Sequence, residues 1–171
     1  VTTGAGIDHS LGDNGLFSHS ADGLLEMVEV QDLVNGGDDI VTAGDGDNVV
    51  VGGIGSDSLA SGFGNDFVLG DGGTLDIAAG VLIRSESTAA EGGDDNIAIL
   101  GGNNMVLAGA GSDTVAAGPG DDHIIGDNGL IEYSAEGVIE RVEALDLLNG
   151  AADSLNAGAG SNIVIGGPGD D

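Results

Sequence analysis

The chain carries a nine-residue rhythm of apolar and polar positions. In Gly52-Gly53-Ile54-Gly55-Ser56-Asp57-Ser58-Leu59-Ala60, glycines hold positions one, two and four, an aspartate position six and a large aliphatic residue position eight. Ser61 to Leu69 and Ala43 to Val51 follow the same plan. The eighth position is filled by Val41, Val50, Leu59, Val68, Ile97, Val106, Val115, Ile124, Leu155 and Val164. One inward aliphatic residue between two outward neighbours predicts a very short strand, and the G-x-G segment predicts a chain reversal that needs glycine. Two nonapeptides then complete a turn, so repeats 18 residues apart stack at a strand spacing of about 4.8 Å. The predicted class is all-β: a right-handed parallel β-roll, or solenoid, interrupted by inserts.

The outward positions alternate in character. Val49 and Val51, Phe67 and Leu69, Met105 and Leu107, His123 and Ile125, Ile163 and Ile165 give one sheet an apolar outer face. Ile40 and Thr42, Ser58 and Ala60, Asn96 and Ala98, Thr114 and Ala116, Ser154 and Asn156 give the other a mostly polar one. An apolar strip of that size requires a cover. Either the inserts fold back over it, or another chain covers it by lateral self-association.

A longer period contains the short one. Gly12-Asp13-Asn14-Gly15, Gly70-Asp71-Gly72-Gly73 and Gly126-Asp127-Asn128-Gly129 start 58 and then 56 residues apart. They define compound repeats 12–69, 70–125 and 126–171 of one continuous array, with 1–11 the tail of a preceding repeat. The chain begins inside a repeat and stops inside another, as a window onto a longer array would. After each G-D-x-G comes a glycine-poor insert, such as Leu16 to Asn35 or Leu130 to Asn149. Ala21-Asp22-Gly23 and Ala135-Glu136-Gly137 are turn signals between strand formers, so each insert is expected to be a strand pair. A short helix around Glu140 to Leu148 competes, because Val142, Leu145 and Leu148 fall at helical spacing.

Charge adds the chemistry. Acids number 30 against two bases, Arg84 and Arg141, for a formal charge of −28, yet 40% of residues are apolar. Self-repulsion on that scale opposes compaction unless cations from solution neutralise it. The charge argues against nucleic acid and anionic membrane surfaces as partners. The sixth position is Asp39, Asn48, Asp57 and Asp66 in the first unit, then Asp95, Asn104, Asp113 and Asp122, then Asp153, Asn162 and Asp171, with Asp8 ending an earlier run. At 18-residue spacing Asp39 lies over Asp57, Asp95 over Asp113 and Asp153 over Asp171; on the opposite edge Asn48 pairs with Asp66 and Asn104 with Asp122. A single such loop would be an ordinary Asp turn. The many aligned copies point instead to cations between stacked carboxylates, with turn carbonyls as further ligands. All-oxygen donors, no cysteine and few histidines select a hard cation, Ca²⁺ over Mg²⁺. The Asn positions carry less charge, so their edge is expected to bind calcium more weakly or to leave some sites empty.

The motif resembles the RTX, or hemolysin-type, calcium-binding repeats of secreted bacterial proteins, whose signature is this nonapeptide. The G-D-N-G inserts resemble the compound repeats of giant RTX adhesins. The resemblance implies that the sixth-position residues above hold calcium, together with the turn backbone at Gly37, Gly46, Gly53, Gly55, Gly62, Gly64, Gly93, Gly109, Gly111, Gly118, Gly120, Gly158 and Gly160. It implies type I secretion, folding in external calcium and an extracellular or cell-surface location, as a stalk or filament module. A β-roll appended to a secreted hydrolase and the ligand-binding part of an adhesin are the alternatives. Asp13, Asp71 and Asp127 depart from the pattern: they ligate from another place or simply form the turn.

Catalysis has no foothold. His9, His19 and His123 do not read as a repeating set, the serines lack a G-x-S-x-G elbow, and the carboxylates occupy equivalent environments rather than a split acid/base pair.

Overall fold

A computed structural model describes residues 1–31, 34–87, 92–145 and 150–171. The described residues are all-β, with strands in three sheets and no helix. Two sheets are parallel. The middle sheet runs His9–Leu11, Val49–Val51, Phe67–Leu69, Met105–Leu107, His123–Ile125 and Ile163–Ile165. The polar sheet is built from Ile40–Thr42, Ser58–Phe63, Asn96–Gly101, Thr114–Ala116 and Ser154–Asn156. Successive short strands along the chain alternate between these sheets, and each pairs in parallel with the next strand in its own sheet.

Registers bring equivalent positions together. Val41, Leu59, Ile97, Val115 and Leu155 align across the polar sheet, and Val50, Val68, Val106 and Ile124 across the middle one. These eighth-position side chains interlock between the two sheets as one core, joined by Ala43, Ile99, Ala108 and Ala117. Ser10 stands in the aliphatic row and is itself buried. Two polar-sheet strands run to six residues rather than three, because Ile99 and Gly101 continue the pairing with Ser61 and Phe63.

The inserts form the third sheet, an antiparallel meander: Gly15–His19, Leu25–Val30, Gly73–Ala78, Val81–Ser87, Gly129–Tyr133 and Ile139–Ala144. Each insert is a hairpin, and hairpins of successive units join edge to edge. The turns fall where Ala-Asp-Gly and Ala-Glu-Gly stand, with Gly23 and Gly137 at φ 82° and 77°. The middle hairpin reverses through Ala79 and Gly80, at φ 53° and 82°, as a primed hairpin turn requires. The helix around Glu140 to Leu148 is not formed over its described part. Ile139–Ala144 pairs with Gly129–Tyr133, so cross-strand partners override a local helical spacing; residues 146–149 lie outside the described set. Both arginines sit on this sheet and converge on Glu132 from its two neighbouring strands, at 3.6 Å from Arg84 and 3.7 Å from Arg141.

This third sheet covers the apolar outer face of the middle sheet from within the chain. Val28, Val30, Leu75, Leu82 and Ile131 pack against Val49, Val51, Leu69, Met105, Leu107 and Ile125 in a second core. Inside its edge strands the middle sheet is therefore largely buried on both faces, which is why Val49–Val51, Phe67–Leu69 and Met105–Leu107 read as unbroken apolar triplets.

Leu107 lies fully buried in that second core. Leu107→Ala is expected to destabilise the calcium-saturated protein by about 2–5 kcal/mol in urea denaturation. Leu100→Ala, at a side chain 59% exposed, should change stability far less; equal effects would count against the covered face.

Candidate metal centre

Connections between the two parallel sheets lie on two edges. On the first edge, loops 52–57, 108–113 and 166–171 are tight, and alternate with the insert-bearing loops that begin at Gly12, Gly70 and Gly126. On the second edge every loop is tight: 43–48, 61–66, 99–104, 117–122 and 157–162. The sixth-position residue closes each loop, just before the next strand.

These residues form a hydrogen-bonded ladder along each edge. On the first, the backbone amides of Asp39, Asp57, Asp95, Asp113 and Asp153 donate to Oδ1 of Asp57, Asp95, Asp113, Asp153 and Asp171, over 2.7–3.1 Å. On the second, Asp8, Asn48, Asp66, Asn104 and Asp122 donate in the same way to Asn48, Asp66, Asn104, Asp122 and Asn162, over 2.8–3.0 Å. The pairs anticipated 18 residues apart are all present. Further rungs, 38 or 40 residues apart, join one unit to the next across the inserts.

Beyond the first residue of each ladder, one oxygen of each carboxylate is thus engaged by the neighbouring rung. In most of them the other is not. Oδ2 of Asp57, Asp95, Asp113 and Asp153 on the first edge, and of Asp8 and Asp122 on the second, is buried without a hydrogen-bond partner. A buried carboxylate oxygen in that state is costly. Burial pushes the carboxyl of Asp57 up to about 6, Asp113 to about 7 and Asp95 to about 8, with neighbouring aspartates adding to the rise. Burial also raises Asp66, Asp122 and Asp153.

Glycine lets the loops stack this closely. A Cβ on Gly64 would come within 2.1 Å of the Gly46 carbonyl oxygen, and at φ 154° and 129° both glycines hold backbone that side chains rarely adopt. Gly53, Gly55, Gly109, Gly111, Gly118, Gly158 and Gly160 also have positive φ. Gly62, Gly93 and Gly120 do not, and are fixed instead by the approach of the adjacent loop. Gly37 meets neither condition, so its place in the turn does not demand glycine. Gly102, at position four of its nonapeptide, takes φ 117° and stacks on Gly64.

The G-D-x-G aspartates have a defined place. Asp13 Oδ2 accepts the Ile54 amide at 2.7 Å; Asp71 accepts those of Gly93 and Ala110 at 3.3 and 2.6 Å; Asp127 accepts that of Ala151 at 3.2 Å. They stand where Gly53 and Gly109 stand in the tight loops, at position two, and the insert is spliced in after them. Asp71 is fully buried, and burial followed by the nearby Asp95 charge pushes its carboxyl up to about 9. The sixth-position frame hid this role, because it places an apolar residue where a ligand would be sought.

A second ladder lies at position five. Ser56 donates its amide to Asp38, Asp94 to Ser56 and Ser112 to Asp94; on the other edge Asn65, Asn103, Asp121 and Ser161 donate to Asp47, Asn65, Asn103 and Asp121. The residue types vary, but each side chain carries an acceptor, and that shared property is the signal in the sequence. The histidines also show an order that single positions did not reveal. His9 and His123 both begin middle-sheet strands, and each faces an insert residue, His19 at 5.8 Å and Tyr133 at 6.1 Å between ring centroids. Burial lowers both His9 and His123, and His123 Nδ1 lies 3.0 Å from the Tyr133 hydroxyl.

A family model for the RTX calcium-binding nonapeptide repeat, in four copies, matches residues 34–68, 99–129 and 149–171, more than half the chain. The chain belongs to the RTX repeat family. No curated protein and no solved structure matches it significantly. RTX nonapeptide repeats bind Ca²⁺, and the repeat is a structural element, not catalytic by itself.

The residues fit that ion. Among the described residues no three acidic or histidine side chains converge on one point, so a calcium here needs backbone carbonyls beside its carboxylates. The RTX loops supply both: partnerless buried Oδ2 atoms, and glycine carbonyls brought close by the stacking.

Without metal, protons are the remaining neutralising cations. The folded carboxyls titrate above the ordinary 3.8, so their contribution to stability is full below that value and is lost as pH rises through about 6 to 9. In chelator, β-structure followed by circular dichroism should therefore be strongest near pH 4 and fade toward pH 9. Calcium should remove most of this dependence. A chelated protein equally folded at both ends would contradict the reading.

Proposed function

We propose that this chain is a calcium-built structural segment, a stalk or filament module of a large secreted bacterial surface protein. The two parallel sheets and their edge loops form a right-handed β-roll, continuous over 1–171 and organised as compound repeats 12–69, 70–125 and 126–171. Calcium lies between stacked loops, held by the sixth-position aspartates and the turn carbonyls. The observation that carries this reading is the row of buried carboxylate oxygens without partners on the first edge, in a chain of charge −28 whose two arginines are engaged elsewhere.

The mechanism is coupled binding and folding. Where calcium is scarce, repulsion along the ladders keeps the chain open, as export through a narrow channel requires. Outside the cell, ion binding becomes folding free energy. RTX repeats typically occur in proteins exported by type I systems, which supports an extracellular location. A stalk is favoured over a β-roll appended to a hydrolase because the three inserts build one continuous sheet along the array, a device for length and stiffness.

Far-UV circular dichroism of the chain in chelator, then with Ca²⁺ or Mg²⁺ at neutral pH, tests the function. β-structure should appear with Ca²⁺ and not with Mg²⁺ at the same concentration. A fold indifferent to chelator would overturn it.

A further inference from the structure

The two edges satisfy their loops differently. On the first edge every sixth-position residue is an aspartate, and four of them carry a buried Oδ2 without a partner. On the second edge aspartate alternates with asparagine: Asp8, Asn48, Asp66, Asn104, Asp122, Asn162. There each asparagine turns its amide nitrogen into the loop. Asn48 Nδ2 donates to the carbonyls of Gly44 and Gly46 at 2.9 and 2.8 Å. Asn104 Nδ2 donates to the Gly102 and Ala117 carbonyls at 3.0 and 3.2 Å and to Asp122 Oδ1 at 2.9 Å. Asn162 Nδ2 reaches the Gly158 carbonyl at 3.3 Å. Asp66 is satisfied too, because the Ser61 hydroxyl donates to its Oδ2 at 2.7 Å, whereas Asp8 and Asp122 keep a buried Oδ2 without a partner and so leave room for ions on this edge as well.

An amide NH₂ is the positive end of a dipole with two donors. Placed among turn carbonyls, it supplies what a cation would supply there, without a charge to neutralise. Oδ1 meanwhile keeps the same ladder bond that an aspartate makes. Replacing Asp by Asn at this position therefore changes one atom, from an acceptor that needs an ion to a donor that occupies the ion's partners.

We propose that Asn48, Asn104 and Asn162 stand in for bound calcium, so that ions hold the first edge and side-chain amides hold most of the second. This goes further than weaker binding or an empty site: the asparagine amide itself takes the ion's place, bonded to the turn carbonyls that would ligate it. The inference rests on reading the sixth-position aspartates as calcium ligands.

The test counts calcium bound to the whole chain by equilibrium dialysis and elemental analysis at saturating Ca²⁺. Asn48→Asp and Asn104→Asp should each raise the count, by about one ion, and shift the Ca²⁺ midpoint for folding upward. Asn48→Ala removes the amide without creating a carboxylate; it should leave the count unchanged, whereas Asp113→Ala on the first edge should lower it. A lower count in Asn48→Ala would make Asn48 a ligand and overturn the proposal, as would aspartate variants that fold in calcium yet gain no ion. A wild-type chain that binds no calcium would instead overturn the functional reading itself.

Discussion

One hydrogen bond organises this molecule: the backbone amide of a sixth-position residue, just before its strand, donates to the sixth-position side chain of the next loop on the same edge. It recurs along both edges and crosses the inserts without interruption. The bond requires an acceptor at fixed spacing, hence Asp or Asn every nine residues. It also draws that side chain inward, so a carboxylate is buried and its second oxygen must find a positive partner. Glycine follows from the same constraint. Loops close enough for side chain to reach backbone leave no room for a Cβ at the stacked positions.

The middle sheet imposes the second constraint. A strand of three residues buries too little to be stable alone, and the two parallel sheets enclose only one row of eighth-position side chains from each, with a few small neighbours. Making the flanking positions apolar on one sheet adds a second layer, provided that face is covered. The hairpins supply the cover, and their own inward residues complete the second core. The exposed side of the hairpin sheet holds both arginines, where Glu132 links two hairpins; such surface pairs are worth about 0–1 kcal/mol each, so alignment of the hairpins rests chiefly on apolar contacts.

Much of this was legible in the residues. The aliphatic eighth position, the apolar triplets and the Ala-Asp-Gly turns are local patterns with one dominant physical meaning, and they located strands, covered face and hairpins. What escaped was set by neighbours distant in sequence. Ile139–Ala144 has a helical spacing locally, and only its partner strand makes it extended. Asp71 lacks the expected frame because the insert breaks the nonapeptide after position two, and its amide partners lie 22 and 39 residues ahead. The fifth-position ladder mixes Ser, Asp and Asn, types that look variable until their common role as acceptors is seen. His9 and His123 look unrelated until the two compound periods between them place both at the start of middle-sheet strands.

The edge that carries most of the partnerless sixth-position carboxylates is also the edge from which every hairpin departs. Asp13, Asp71 and Asp127 open the inserts, and Asp39, Asp95 and Asp153 close them, all within the first-edge loops. Charge and cover are therefore coupled by topology. If repulsion spreads the first-edge rungs, the two roots of each hairpin separate, the hairpin sheet loses its register on the middle sheet, and the apolar face of Val49, Met105 and Leu107 meets water. If a cation draws the rungs together, the same roots are fixed and the second core closes. The second edge carries no inserts, so nothing comparable depends on neutralising it, and asparagine is tolerated there. On this argument the ions act on more than loop repulsion: by pinning the hairpin roots they bring the burial of the apolar face into the same cooperative step.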